Sequence, residues 1–298
     1  MKNNFALGIL LSILLTSLFG CQNQSAVQTP VSGYAEIVVD ESLGPIVQDQ
    51  YDVFSNDYQS ATIKLFFQPE NKLLSTFLSN KVNVAIMSRL LLPNEAKVFE
   101  SKKIKIRVNR FAIDAIALIV NKESSDSTIE VADLIESLKG NGNTRNLVFD
   151  NANSSTVRYL KELANVKQLP AKGIYALNSN AEVIKYVYNN KGAIGVIGVN
   201  WVKAPSEELE QFVNGIRILK VKNLKGKPGD DGFYAPSQNN LALGLYPLER
   251  SLYIINCQGT AGLGTGFASF LAGERGQRIV LKSGLMPDSL PTREILIK

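Results

Sequence analysis

Three short stretches concentrate side chains able to hold an anion: Asp40-Glu41-Ser42, Ser88-Arg89 and Asn153-Ser154-Ser155-Thr156. They follow the apolar, strand-like runs AEIVVD, VNVAIM and NLVFD, and each comes before a segment with helical character. A helix N-terminus presents unpaired backbone N–H groups and a partial positive charge. Hydroxyls beside those amides add rotatable donors, and together they make an oxyanion site that needs neither metal nor lysine. Taken singly, each stretch is equally an ordinary helix cap, because Ser, Thr, Asn and Asp are the favoured N-cap residues. The run Asn153 to Thr156 is more specific, since one cap needs only one such residue. Arg89 and Arg158 read either as ligand clamps or as surface ion-pair residues.

The chain contains no histidine. That removes Ser-His-Asp and Cys-His catalysis and histidine-based zinc sites. No GxSxG, SxxK or GK[ST] motif is present, and Gly262, Gly264 and Gly266 do not form a GxGxxG fingerprint. No carboxylate pair announces itself as catalytic. The pattern favours a binding protein over an enzyme, with no cofactor and no metal. A net charge of +5 with scattered lysines gives no nucleic-acid footprint.

The chain has 298 residues, 45% of them hydrophobic, enough for one large domain or two of ordinary size. Lys2 and the uncharged run Phe5 to Phe19 form a charged n-region and an h-region of roughly 15 residues, shorter than a spanning helix. Leu18-Phe19-Gly20-Cys21 resembles the bacterial lipobox. The expectation is a signal segment at 1–20, lipid on Cys21, and a flexible tether at 21–32. With Cys21 lipidated, Cys257 has no partner for a disulfide and reads as a buried thiol.

From Tyr34 onward, strands and helices alternate, which predicts an α/β fold with mostly parallel sheets. Helices are expected at Ser42 to Asn56, Asn71 to Lys81, Pro93 to Glu100, Val131 to Leu138, Ser154 to Ala164 and Ala181 to Tyr188, with two more closing the chain. IKIRV and FAIDAIALIV read as two neighbouring strands, GIRILKV as one, and Asn223 to Asn240 as a loop. In open α/β sheets ligands sit beyond the carboxyl ends of strands, where the three polar junctions fall.

Five segments carry a family resemblance: VNVAIMSRLLLPNEAK, FAIDAIALIVNKES, KGAIGVIGVNWV, YPLERSLYII and FASFLAGERGQRIVLKSGLMP. In this order they resemble the PstS-like phosphate-binding proteins of ABC transport systems, a branch of the type II periplasmic binding proteins. The resemblance implies two lobes, each a mostly parallel sheet flanked by helices, joined by crossing strands. The expected bounds are 33–115 plus 249–298 for one lobe and 116–248 for the other. It places anion contacts at Ser42, Ser88, Ser154, Ser155 and Thr156, with Asn153 in the same run and Arg89 and Arg158 able to balance charge.

The chain departs from the family pattern at several points. Asp150 stands in an arginine slot, Ser155 in a glycine slot and Asn83 in a carboxylate slot. Asp40 and Glu41 replace a glycine and a hydroxyl. A buried carboxylate facing the anion would accept a hydrogen bond from the proton of hydrogen phosphate and repel sulfate, which makes Asp40, Glu41 and Asp150 candidate acceptors. They are equally read as solvated or helix-end charges. The resulting expectation is an exported, monomeric, lipid-anchored protein that captures phosphate or a related oxyanion for an ABC permease. The alternatives are another ligand in the same fold, or a sensory or interaction lipoprotein of the cell envelope.

Overall fold

The computed structural model describes residues 28–141, 146–259 and 261–289. The expected signal segment and Cys21 lie outside the described residues. β1 (Gly33–Asp40) leads through a 3-10 turn (Glu41–Leu43) into α1 (Gly44–Asp57). The alternation continues through β2 (Ala61–Gln68), α2 (Glu70–Leu78), β3 (Val84–Met87) and α3 (Pro93–Glu100). Next come β4 (Arg107–Asn121), β5 (Thr128–Glu130), α4 (Val131–Lys139), β6 (Asn146–Phe149) and α5 (Ser155–Leu163). They lead to β7 (Ile174–Ala176), α6 (Asn180–Asn189), β8 (Ala193–Gly198), α7 (Asn200–Lys203) and α8 (Glu207–Val213). The chain then passes through β9 (Ile216–Ile218), β10 (Lys220–Lys222) and α9 (Gln238–Ala242). It finishes with β11 (Glu249–Asn256), α10 (Leu263–Ala272), α11 (Glu274–Lys282) and β12 (Met286–Pro287).

The main sheet has the order β2-β1-β3-β11-β4-β8-β6-β7, with β9 and β12 also pairing to β4. It has two halves. In one, β1 runs parallel to β2 and β3; in the other, β6 runs parallel to β7 and β8. β4 belongs to both. Its residues Arg107 to Ala115 pair antiparallel with β11, and Ile116 to Ile119 pair antiparallel with β8.

Strands covered on both faces read as continuous apolar runs, and β3 and β8 are buried at every position. Alternate residues of β1 serve two cores. Ile37 and Val39 join the large cluster that continues beneath both halves, whereas Val38 packs with Phe77 and Phe99 on the other face. Cys257 is buried there, and burial pushes its thiol up to about 11.

Three sequence expectations change. IKIRV and FAIDAIALIV are not two strands: Arg107 to Asn121 is one strand of 15 residues. Ladder bonds to β11 carry the backbone through the polar stretch where the hydrophobic pattern lapses. GIRILKV is two strands, because β9 pairs with β4 and β10 with β5. The tether does not remain flexible to residue 32. The Thr29 and Ser32 hydroxyls meet at 2.7 Å, and a Cβ on Gly266 would overlap the Pro30 carbonyl at 1.6 Å, so this turn is packed onto α10.

Candidate anion-binding cleft

The carboxyl ends of β1, β3, β6 and β8 converge, and the polar junctions of the sequence meet between the two halves of the sheet. At the end of β1, Asp40 caps the 3-10 turn, its Oδ1 accepting from Ser42 N (3.1 Å) and Ser42 Oγ (2.9 Å). From the other half, Ser154 is the N-cap of α5 and accepts from Val157 N at 3.3 Å. This cap aims Ser155 and Thr156 into the cleft, where both are fully buried.

The hydroxyls form two directed chains. Arg250 Nη1 donates to Ser155 Oγ at 3.0 Å. Ser155 Oγ lies 3.0 Å from Ser42 Oγ. Because the Ser42 hydrogen is committed to Asp40, the Ser155 hydroxyl is the donor between them. In the second chain Ser154 Oγ meets Thr156 Oγ1 at 2.7 Å, and Thr156 donates to Asp150 Oδ1 at 2.6 Å. Asn180 at the start of α6 supplies a further donor to Asp150 Oδ2 at 3.1 Å. Ser88 Oγ points at Asp40 Oδ2 from 3.5 Å.

Arg250 anchors the centre. It sits opposite Asp114 in the β4–β11 ladder, and its Nε and Nη2 both donate to Asp114 Oδ2, at 2.9 and 2.7 Å. Burial works against the charge on Arg250, but Asp114 and Asp40 outweigh it and hold the guanidinium above its ordinary value. Burial pushes Asp150 up against the pull of its Thr156 hydrogen bond. Asp114 is likewise pushed up by burial, opposed by Arg250.

Sequence reasoning missed Arg250, Asp114, Asn180 and Asn200. Asp114 interrupts an apolar strand, and a lone charge in such a run was the available signal; Arg250, between Glu249 and Ser251 at the polar start of β11, gave none. Asn200 and Trp201, just after β8, both donate to the Ser42 carbonyl, at 3.3 and 3.0 Å.

The remaining candidates fall elsewhere. Asn153 is exposed and bonds to Asn71 rather than to the hydroxyl chains. Arg89 is engaged by Glu70 and Glu95, and Arg158 by Glu70 and Glu162, although Arg158 Nη2 also reaches Ser88 Oγ at 3.4 Å. Asn83 precedes β3, at the opposite end of that strand from Ser88.

Glu41 is half-buried at the edge of the cleft. Burial first, then Asp150, Asp40 and Glu182, raise its carboxyl from 4.5 to about 7. The folded chain therefore holds this proton more tightly than the unfolded chain does. The resulting stabilisation is full below pH 4.5 and is lost as the pH rises through about 7. Glu41→Gln is expected to flatten that part of the stability profile and to raise stability on the alkaline side. Urea titrations across the window check it, and an unchanged slope would refute the assignment.

The model of the PBP superfamily domain matches residues 24–275. The chain belongs to this superfamily. Among curated relatives, the phosphate-binding protein PstS of Staphylococcus epidermidis is 23% identical over 256 residues, covering 82% of this chain and 74% of that protein. PstS of Staphylococcus saprophyticus is 24% identical over 253 residues, covering 80% and 75%. A Clostridium perfringens ABC transporter substrate-binding protein, assigned to phosphate and solved with phosphate bound, superposes with a TM-score of 0.71 at 18% identity. That alignment covers 86% of this superfamily member and 100% of the solved chain. The two half-sheets joined through β4 and β11 are thus the two lobes of a type II periplasmic-binding-protein fold.

Proposed function

We propose that this binding protein captures phosphate between its lobes and delivers it to an ABC permease. The observation that carries the reading is the pair of hydroxyl chains running from Arg250 and Ser154 to Asp40 and Asp150. Their hydrogens are directed at carboxylates or at hydroxyls that lead to carboxylates. An anion that accepts from Ser42, Ser155, Thr156 and Arg250 strips those carboxylates of donors. It fits only if it returns donors of its own, as a protonated phosphate does and sulfate does not. The curated relatives and the phosphate-bound neighbour support the same ligand.

In this reading the cleft performs no reaction, and the lobes close around the ion as rigid bodies. The lobes we propose are 33–115 with 249–298, and 116–248; the change of β4's partner from β11 to β8 after Ala115 supports that division. Export, lipid on Cys21 and action as a monomer complete the proposal. Lipid at Cys21 would keep the protein beside the membrane that holds the permease.

Calorimetry with inorganic phosphate, sulfate and molybdate tests the ligand. Heat is expected with phosphate and none with sulfate. At a hundredfold excess over Kd, phosphate should stabilise the fold by about 2.7 kcal/mol. No heat and no thermal shift with any of the three would end the oxyanion reading.

A second reading has its own support. Three buried carboxylates, Asp40, Asp114 and Asp150, surround one guanidinium. The buried acceptors Asn180 Oδ1 and Asn200 Oδ1 have no partner among the described residues. A ligand richer in hydrogen-bond donors than phosphate would suit these groups. Mass spectrometry of material carried through purification distinguishes the two.

A further inference from the structure

We propose that Glu70 is an interlobe latch that sets how far the lobes close, and so sets affinity without contacting the bound ion. The affinity part rests on the phosphate reading; the closure part does not.

Glu70 opens α2 on the first lobe, and its side chain is 2% exposed. Arg158, one turn into α5 of the second lobe, places its Nε 2.6 Å from Glu70 Oε1. Arg89, beside Ser88 on the first lobe, donates its own Nε to the same oxygen at 3.2 Å. The other carboxylate oxygen is buried with no partner among the described residues. Burial of this charge therefore rests on the two guanidiniums, and a buried carboxylate that loses a cation partner is strongly destabilised.

The next residue continues the seam. Asn71 N donates to the Asn153 carbonyl at 3.3 Å, and Asn71 Nδ2 to Asn153 Oδ1 at 3.0 Å. The starts of α2 and α5 are thus stitched together across the cleft. Separating the lobes would strand Glu70 with Arg89 alone and open both amide contacts. Each arginine has another carboxylate to hold it, Glu95 for Arg89 and Glu162 for Arg158. Both are therefore pre-positioned when the lobes meet.

A latch of this kind raises the population of the closed form before ligand arrives. Apparent affinity scales with that population. Glu70 is thus a positioning residue rather than a ligand contact.

The test uses the purified chain with Glu70→Gln, and separately Arg158→Gln, in case either variant folds poorly. Circular dichroism establishes that the fold is retained. Small-angle scattering without phosphate is expected to show a larger radius of gyration in both variants than in the parent. Saturating inorganic phosphate should erase that difference. Calorimetry should show phosphate binding about tenfold weaker, and the double variant little weaker than either single one, because both break the same Glu70–Arg158 contact between the lobes.

An unchanged ligand-free radius of gyration in both variants would overturn the latch. So would tighter phosphate binding in Glu70→Gln, since Glu70 would then be competing with the ion for the arginines. If parent and variants all fail to bind phosphate, the ligand assignment fails, and scattering still decides on the latch.

Discussion

Arg250→Gln is expected to abolish phosphate binding and to destabilise the chain by about 3–5 kcal/mol, the usual consequence of stranding one member of a buried ion pair. Asp114 is fully buried and receives both of its guanidinium bonds from Arg250. Without Arg250, Asp40 and Asp150 also lose their nearest buried cation. A second substitution separates folding from binding. Replacing both partners with apolar residues of similar size, Asp114→Leu with Arg250→Met, removes the stranded charge. Such exchanges are often neutral or stabilising. The double variant should recover most of the stability in urea unfolding while remaining silent in phosphate calorimetry. Binding restored in that variant would show that Arg250 only supports the fold.

The second large effect is expected at Gly198, the last residue of β8. A Cβ there would stand 2.8 Å from Asn200 Nδ2, 2.8 Å from the Ser42 carbonyl and 3.0 Å from Arg250 Nη2. No methyl fits without moving these groups. Gly198→Ala should therefore weaken phosphate binding on the order of tenfold to a hundredfold and lower stability by about 1–3 kcal/mol, as overpacking does. Two controls isolate the cause. Gly195→Ala meets Val183, Ile119 and Val187 within 2.8 Å but touches nothing in the cleft; it should be destabilised with its affinity kept. Gly192→Ala has nothing within 4 Å and should change neither. Equal affinity in the Gly198 and Gly195 variants would argue against close packing at the β8 end as a determinant of binding.

Much of this architecture was legible locally. AEIVVD, VNVAIM and GAIGVIG are buried runs whose composition announces interior strands. The Asn153 to Thr156 run pointed to the cleft because more hydroxyl and amide groups stand there than one cap uses, and Ser154, Ser155 and Thr156 are buried there while Asn153 is exposed. The partners of the charges were not legible. Arg89 and Arg158 read as candidate clamps because nothing nearby in sequence shows that Glu70 claims both. Asp114 and Arg250 stand 136 residues apart, and only the β4–β11 ladder sets them face to face. β4 illustrates the same limit for secondary structure. Its polar beginning loses the hydrophobic pattern, and what keeps it extended is a strand more than a hundred residues further along the chain.

That strand has a consequence for how the molecule comes into being. β11 lies between β3 and β4 and bonds to both. A chain made from its N-terminus lacks β11 until residue 256 has been made. Until then β3 and the first part of β4 are neighbours without a spacer, each with a bare hydrogen-bonding edge and an uncovered apolar face. Such edges are templates for wrong pairing, and distant pairings form late and slowly. The second lobe, with β6, β7 and β8 close together in the chain, can assemble while the first waits. The strand that fills this gap is also the one that carries Arg250. The cleft therefore gains its central positive charge in the same step that closes the first lobe's sheet, and an incompletely folded chain has no assembled site with which to trap an ion.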